Sequence, residues 1–125
     1  MKLKEINNIF QSLNKLLIRE DLPIKLSYPL SKLGKLIENE SRSFEESRMK
    51  IIEKHGEKDE DGKLIQKDNV INIPKDNLDD FNLEFNELLD INMTFSFQPI
   101  SIASLDENLN ISSIDLMILS EFFID

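Results

Sequence analysis

Residues 24–56 read IKLSYPLSKLGKLIENESRSFEESRMKIIEKHG, and this stretch decides the fold. Its apolar residues recur at three- and four-residue spacing, as in Leu26, Leu30, Leu33, Ile37, Phe44 and Ile51. That spacing predicts one long amphipathic helix over about residues 24–54. A proline is tolerated in the first turn of a helix, so Pro29 moves the expected start toward Ser27. Gly56 is expected to be the glycine that ends the helix.

A second helix is predicted before it. Residues 3–20 carry one apolar stripe, and Pro23 then disfavours helical backbone at the residue before it. Two striped helices joined by a short turn indicate an antiparallel helical hairpin at the N-terminus.

The second half mixes helix and strand patterns. A β-hairpin is expected from residues 63–66 and 70–73, a third helix from residue 76 or 77 to 90, and a strand from the alternation of residues 91–97, continuing to 102. Ser112, with Asp115 three residues later, predicts the start of a last helix to Phe122. The predicted fold class is therefore α+β: a helical hairpin and third helix packed on a small, mainly antiparallel sheet, closed by a C-terminal helix.

Length and composition set outer bounds. The 125 residues fit a single domain spanning 1–125. The sequence contains no cysteine, which excludes disulfides and thiolate metal sites. We expect neither a signal peptide nor a membrane span, because no apolar run approaches the ~20 residues that cross a bilayer.

Charge is divided unevenly along the chain. Residues 1–56 hold 11 Lys and Arg against 8 Asp and Glu, whereas residues 57–125 hold 4 against 16. One interpretation is an acidic half that keeps a folded protein in solution. The other is a dipolar subunit that docks head to tail, or an acidic face for a basic partner.

Direct nucleic-acid binding is not expected. The acidic half would repel phosphates. The basic residues of the long helix (Lys25, Lys32, Lys35, Arg42, Arg48 and Lys50) are interleaved with glutamates, which is typical of a solvated, salt-paired face.

Residues 57–68 could form a calcium loop. Asp59, Asp61 and Asp68 fall at positions 3, 5 and 12 of an EF-hand pattern, with Gly62 at position 6. Position 1 is the longer Glu57, position 12 lacks a glutamate, and the following segment is strand-like. A plain Asp-Gly turn explains the same residues, and calcium is the weaker interpretation.

No motif predicts catalysis or a cofactor. His55 is the only histidine, and its place at a helix end favours contact with the last carbonyls. No serine has nucleophile-elbow spacing, and no glycine-rich phosphate loop is present. We therefore expect a protein that is not an enzyme and uses no cofactor.

Three segments resemble a known family. Residues 22–28 (LPIKLSY), 52–62 (IEKHGEKDEDG) and 81–89 (FNLEFNELL) resemble motifs of small proteins encoded by tailed bacteriophages, although His55 replaces the usual tyrosine. The likeness extends over roughly residues 1–123. The family carries no established activity to transfer, so the resemblance implies only a phage origin and a role in virion assembly or in handling a host protein.

These inferences predict a protein-binding function. We expect a virion structural, assembly or accessory subunit that binds itself or another phage protein, in the host cytoplasm or in the virion. The alternative is an acidic inhibitor that occupies a basic nucleic-acid-binding surface of a host defence protein. The expected contacts are in the alternating segment and the last helix: Met93, Phe95, Phe97, Ile118, Phe122 and Phe123.

Overall fold

A computed structural model describes residues 1–101 and 110–124. In this part of the chain there are four α-helices: α1 (Ile6–Leu17), α2 (Ile24–His55), α3 (Leu78–Leu89) and α4 (Ser113–Ile118). The two strands are β1 (Ile100–Ser101) and β2 (Phe123–Ile124), and short 3₁₀ turns precede α1 and α3 and follow α4. The chain therefore mixes helix and strand, with helix dominant. No helix in the described part is long and apolar enough to cross a membrane.

The chain divides into two compact units. Unit 1 comprises Met1–Lys4 and Arg42–Asn92, and unit 2 comprises Glu5–Ser41 and the described residues from Met93 onward. The first part of α2 belongs to unit 2 and its last part to unit 1. The single domain expected from the length stays a prediction.

Unit 2 is built on α1, α4 and the first part of α2. The stripe of α1 is buried at Ile6, Ile9, Leu13 and Leu16, and that of α2 at Leu26, Leu30, Leu33 and Ile37. Gly34 is buried where α2 approaches Leu17, since a Cβ there would lie 2.8 Å from Leu17 Cδ1. Helix α1 ends at Leu17, earlier than expected, and α2 begins at Ile24 rather than near Ser27.

The sheet of unit 2 differs from the prediction. Strands β1 and β2 pair in parallel, with Ile100 opposite Phe123 and Ser101 opposite Ile124. The mainly antiparallel sheet is thus not confirmed among the described residues. Residues 93–97 are not a strand. Met93, Phe95 and Phe97 are half-buried, so the alternation of apolar and polar residues reflects side-chain burial without backbone pairing. Residue 102, the expected end of that strand, lies outside the described residues.

Unit 1 contains α3 and the loop after α2. The expected hairpin turn is present: Lys67 and Val70 exchange both backbone hydrogen bonds across Asp68 and Asn69, whose φ angles are 52° and 62°. Positive φ at both central residues is the geometry of a tight hairpin turn. The expected hairpin strands do not form. The backbone of Glu57 lies between them, donating to Asn72 O and accepting from Ile65 N, so the antiparallel pairing reduces to isolated bridges.

Candidate functional site

A groove in unit 2 combines features of a protein-binding site. It measures about 390 Å³ and is lined by five α2 residues and three residues of the segment before β1: Tyr28, Pro29, Lys32, Leu33, Leu36, Ser96, Phe97 and Gln98. We name it the α2 groove. Its volume lies at the lower end of the range for ligand clefts, which suits a few side chains of a partner.

The helical repeat places the α2 side of this groove. Tyr28, Lys32 and Leu36 are four residues apart, so they lie along one line of the helix surface. Pro29 is the sixth residue of α2 and lines the groove beside them. Because proline has no N–H, Pro29 cannot donate the helical hydrogen bond to the carbonyl oxygen of Lys25.

Phe97 forms the opposite wall and is fixed by the core. Its ring centroid lies 5.0 Å from that of Phe122 in an edge-to-face arrangement, and 5.8 Å from that of Phe95. Phe122 is fully buried. A wall anchored in this way is preorganised, so a partner would not have to order it on binding.

The mouth of the groove presents an aromatic ring and a cation. Tyr28, the only tyrosine in the sequence, is 61% exposed. Lys32 Nζ lies 5.1 Å from the centre of its ring. Tyrosine is enriched among the residues that dominate binding energies at protein interfaces. This pair distinguishes the α2 groove from an ordinary surface depression.

A second groove, in unit 1, is less suited to a partner. It measures about 480 Å³, and its lining includes Arg48, Met49, Val70 and Phe81. The Arg48 guanidinium is engaged by Glu45 at 3.0 Å, as expected for a salt-paired helix face. Phe81 packs against His55 and Phe85. The Arg48 guanidinium and the Phe81 ring are thus already engaged within unit 1.

The predicted contact residues fall into two groups. Met93, Phe95, Phe97 and Ile118 are half-buried, and of these Phe97 lines the α2 groove. Phe122 and Phe123 are buried, because the chain turns after α4 and carries them into the core of unit 2; their role as partner contacts stays a prediction, and an exposed surface does not include them. The exposed apolar residues of α4 are Ile114 and Met117.

The candidate calcium loop folds as a turn. Asp59 Oδ1 accepts hydrogen bonds from the backbone N–H groups of Asp61 and Lys63, each at 2.9 Å. Gly62 has a φ of 79°, which this turn requires. Within residues 1–101 and 110–124, no three acidic or histidine side chains are grouped to hold a metal ion, so Asp59, Asp61 and Asp68 are not brought together as ligands.

His55 lies in a cluster with Lys54 and Glu84 in unit 1. It is buried, its Nε2 lies 3.3 Å from Glu84 Oε2, and Lys54 forms a short ion pair with the other oxygen of Glu84. The hydrogen bond from Lys54 is the main cause that lowers the pKa of Glu84, and contact with His55 adds to it. The cluster joins the end of α2 to α3.

A second buried carboxylate joins α1 to α4. Asp115 Oδ1 accepts a hydrogen bond from Ser12 Oγ at 2.9 Å and lies 3.4 Å from Lys15 Nζ. The predicted helix start is confirmed, since Ser112 Oγ accepts from Asp115 N at 3.1 Å. The hydrogen bond from Ser12 lowers the pKa of Asp115 most, against the opposing effect of burial. The cluster therefore serves to hold α4 against α1.

Comparison of the chain with protein-family models, with curated proteins and with solved structures gave no match. The resemblance to phage proteins therefore stays a prediction. The candidate site depends on the geometry alone.

Sequence reasoning missed the α2 side of the site. Lysines and glutamates are interleaved over α2 as a whole, yet residues 24–37 contain three lysines and no acid. That local charge imbalance beside Tyr28, the only tyrosine, was the signal available in the sequence.

Proposed function

We propose that this protein acts by binding another protein at the α2 groove, and not by catalysis. The observation that carries the proposal is an exposed Tyr28 and Lys32 at the mouth of a cleft whose opposite wall, Phe97, is anchored to the buried Phe122. An apolar floor beside a cation favours a partner segment in which an apolar side chain is flanked by acids.

We further propose, from the resemblance to tailed-phage proteins, that the protein is a virion structural, assembly or accessory subunit. A small, preorganised groove suits a subunit that recognises one segment of a neighbouring protein. The half-burial of Met93 and Phe95 beside Phe97 is consistent with a segment that supports the groove rather than a strand added to a sheet.

The test is recovery of a partner from phage-infected cells that produce the chain. A tagged wild-type chain should retain a defined protein, and Tyr28→Ala should lose most of it because the exposed ring is removed. Met117→Ala, an exposed apolar change on α4 outside the groove, is the matched control and should retain the partner. Equal retention by Tyr28→Ala and wild type would contradict the proposal. Mass spectrometry of purified particles then tests the virion assignment.

The inhibitor of a host defence protein is the second candidate. It is favoured by the solvent-facing acids of α3, where Asp79, Asp80 and Glu87 are all exposed. Binding of this kind would weaken strongly with salt and would depend on Asp79 and Glu87 instead of Tyr28. The same recovery experiment with Asp79→Asn/Glu87→Gln, compared with Tyr28→Ala, separates the two functions: a partner lost by the acid variant but retained by Tyr28→Ala indicates the inhibitor.

A further inference from the structure

The outer face of α3 has the composition that the α2 groove would accept. Leu83 is 60% exposed and lies at its centre. Asp79 and Asp80 are one turn before it, Glu87 is one turn after it, and all three are exposed. We name these four residues, with the exposed Asn86, the α3 face.

The charges of this face are available to a partner. Residues 76–90 contain six acids and no basic residue. Glu84 and Asp90 are paired inside unit 1, with Lys54 and Lys2 respectively. Asp79 and Glu87 have no ion-pair partner among the residues that the structure describes.

The groove has the opposite charge. Lys25, Lys32 and Lys35 are exposed on the first part of α2, and residues 24–37 include no acid. Lys25 and Lys35 have no ion-pair partner in the described ranges. An exposed leucine among acids on one surface thus matches an apolar cleft among lysines on another, and opposite potentials of this kind select partners.

We propose that the partner in the α2 groove is a second copy of this chain, which inserts Leu83 of its α3 face. This inference rests on the proposed function, because it names the occupant of the same groove. The contact joins two different surfaces, so each copy keeps one free groove and one free face, and association continues beyond the dimer unless it closes into a ring. A contact centred on one side chain is small, so we expect weak association.

Two exposed substitutions disable one surface each. Lys32→Glu reverses the charge at the groove and leaves the α3 face intact, whereas Leu83→Asp removes the apolar centre of the face and leaves the groove intact. Sedimentation velocity from about 1 µM to about 1 mM should show the wild-type mass rising, and each variant should associate roughly tenfold more weakly or not at all. Met117→Asp, outside both surfaces, should behave as the wild type does.

The decisive sample is the equimolar mixture of the two variants. The intact face of Lys32→Glu fits the intact groove of Leu83→Asp, so the mixture should form a 1:1 dimer and stop there. Raising NaCl from about 50 mM to about 500 mM should weaken it, because exposed charges are screened. Circular dichroism establishes that both variants are folded.

Three results would overturn the inference: a wild-type chain that stays monomeric at about 1 mM, variants that associate as wild type does, or a mixture that stays monomeric. None of them removes the proposed function, since a different protein could still occupy the groove. That function fails separately, if Tyr28→Ala retains every partner recovered by the wild type.

Discussion

Close packing, and not a positive φ angle, requires a glycine at position 56. A Cβ at this position would lie 2.6 Å from Leu64 Cδ1, 2.7 Å from Ile71 Cγ2 and 2.8 Å from the carbonyl oxygen of Ile52. Gly62 is the glycine with positive φ in the described part of the chain, so Gly56 does not end α2 as a left-handed cap. Its role is to let the loop after α2 pack against the end of the helix.

Gly56→Ala should therefore destabilise the protein by roughly 1–3 kcal/mol, the usual cost of overpacking a filled site. The backbone carbonyl of Ile52 cannot move aside as a side chain can. Urea denaturation followed by circular dichroism measures the change. Gly62→Asn is the matched control, because no atom lies within 4 Å of a Cβ there and asparagine tolerates positive φ. Equal stability of Gly56→Ala and wild type would refute the packing explanation.

Asp115 makes the stability depend on pH. Its pKa is lowered in the folded state, first by the hydrogen bond from Ser12. A carboxyl whose pKa is lower when folded contributes stability that is fully present above its unfolded pKa of about 3.9 and is lost as the pH falls through the folded value. Acid should therefore weaken the contact between α1 and α4.

Asp115→Asn should reduce this acid sensitivity. The urea midpoint of wild type is expected to fall between pH 7 and pH 3, and the fall should be smaller in the variant. Asp79→Asn, on the solvent side of α3, is the control and should keep the wild-type dependence. A variant whose midpoint falls as steeply as wild type would show that Asp115 is not the group responsible.

At the scale of elements, the segment from α4 to β2 serves the core more than the surface. Leu119 and Phe122 are buried, while Ile114 and Met117 are 65% and 69% exposed. The Phe122 ring also positions Phe97, so the core of unit 2 and the wall of the α2 groove share one contact.

Phe122→Ala should cost about 3–5 kcal/mol of unfolding free energy, the range for a buried phenylalanine. Met117→Ala should lie within about 0.5 kcal/mol of wild type, as surface changes do. Chemical denaturation of the two variants gives both values. Similar losses from both would mean that α4 is oriented differently.

The helices were predictable because their stripes are long. The three- and four-residue spacing of apolar residues over 24–54 repeats for several turns and fits only a helix. The structure has a helix at Ile24–His55. The two-residue strands are too short to leave a period in the sequence. The alternation at Met93, Phe95 and Phe97 was misleading for another reason: half-burial against a core produces the same pattern as a strand.

The candidate site was predictable only in part. Phe97 is predicted as a contact because it is aromatic and alternates with polar residues, and it lines the α2 groove. Tyr28 and Lys32 are not predicted, because the groove depends on which segment of the chain approaches α2. The local spacing of residues carries no information on such long-range contacts. Phe122 is predicted as a contact but is buried, since an apolar helix end gives the same sequence pattern whether it is buried or docked on a partner.

At the scale of the whole molecule, the uneven charge has a structural counterpart in two surfaces. Lys32 lines the α2 groove, with Lys25 and Lys35 exposed on the same part of α2, and the exposed acids Asp79, Asp80 and Glu87 lie one turn from Leu83. Opposite charge on separate surfaces of one chain is what head-to-tail association requires.

Photo-crosslinking from inside the α2 groove shows whether a protein occupies it. A benzophenone amino acid replaces Gln98, an exposed residue of the groove lining, and in a control chain it replaces Ile114 on α4. Mixing isotopically light and heavy chains identifies crosslinks between copies. We expect position 98 to yield one dominant protein crosslink, to a peptide containing Leu83 of another copy or to one defined foreign protein, and position 114 to yield only scattered products. If position 98 gives products as scattered and as weak as those of position 114, the α2 groove is not a protein-binding site.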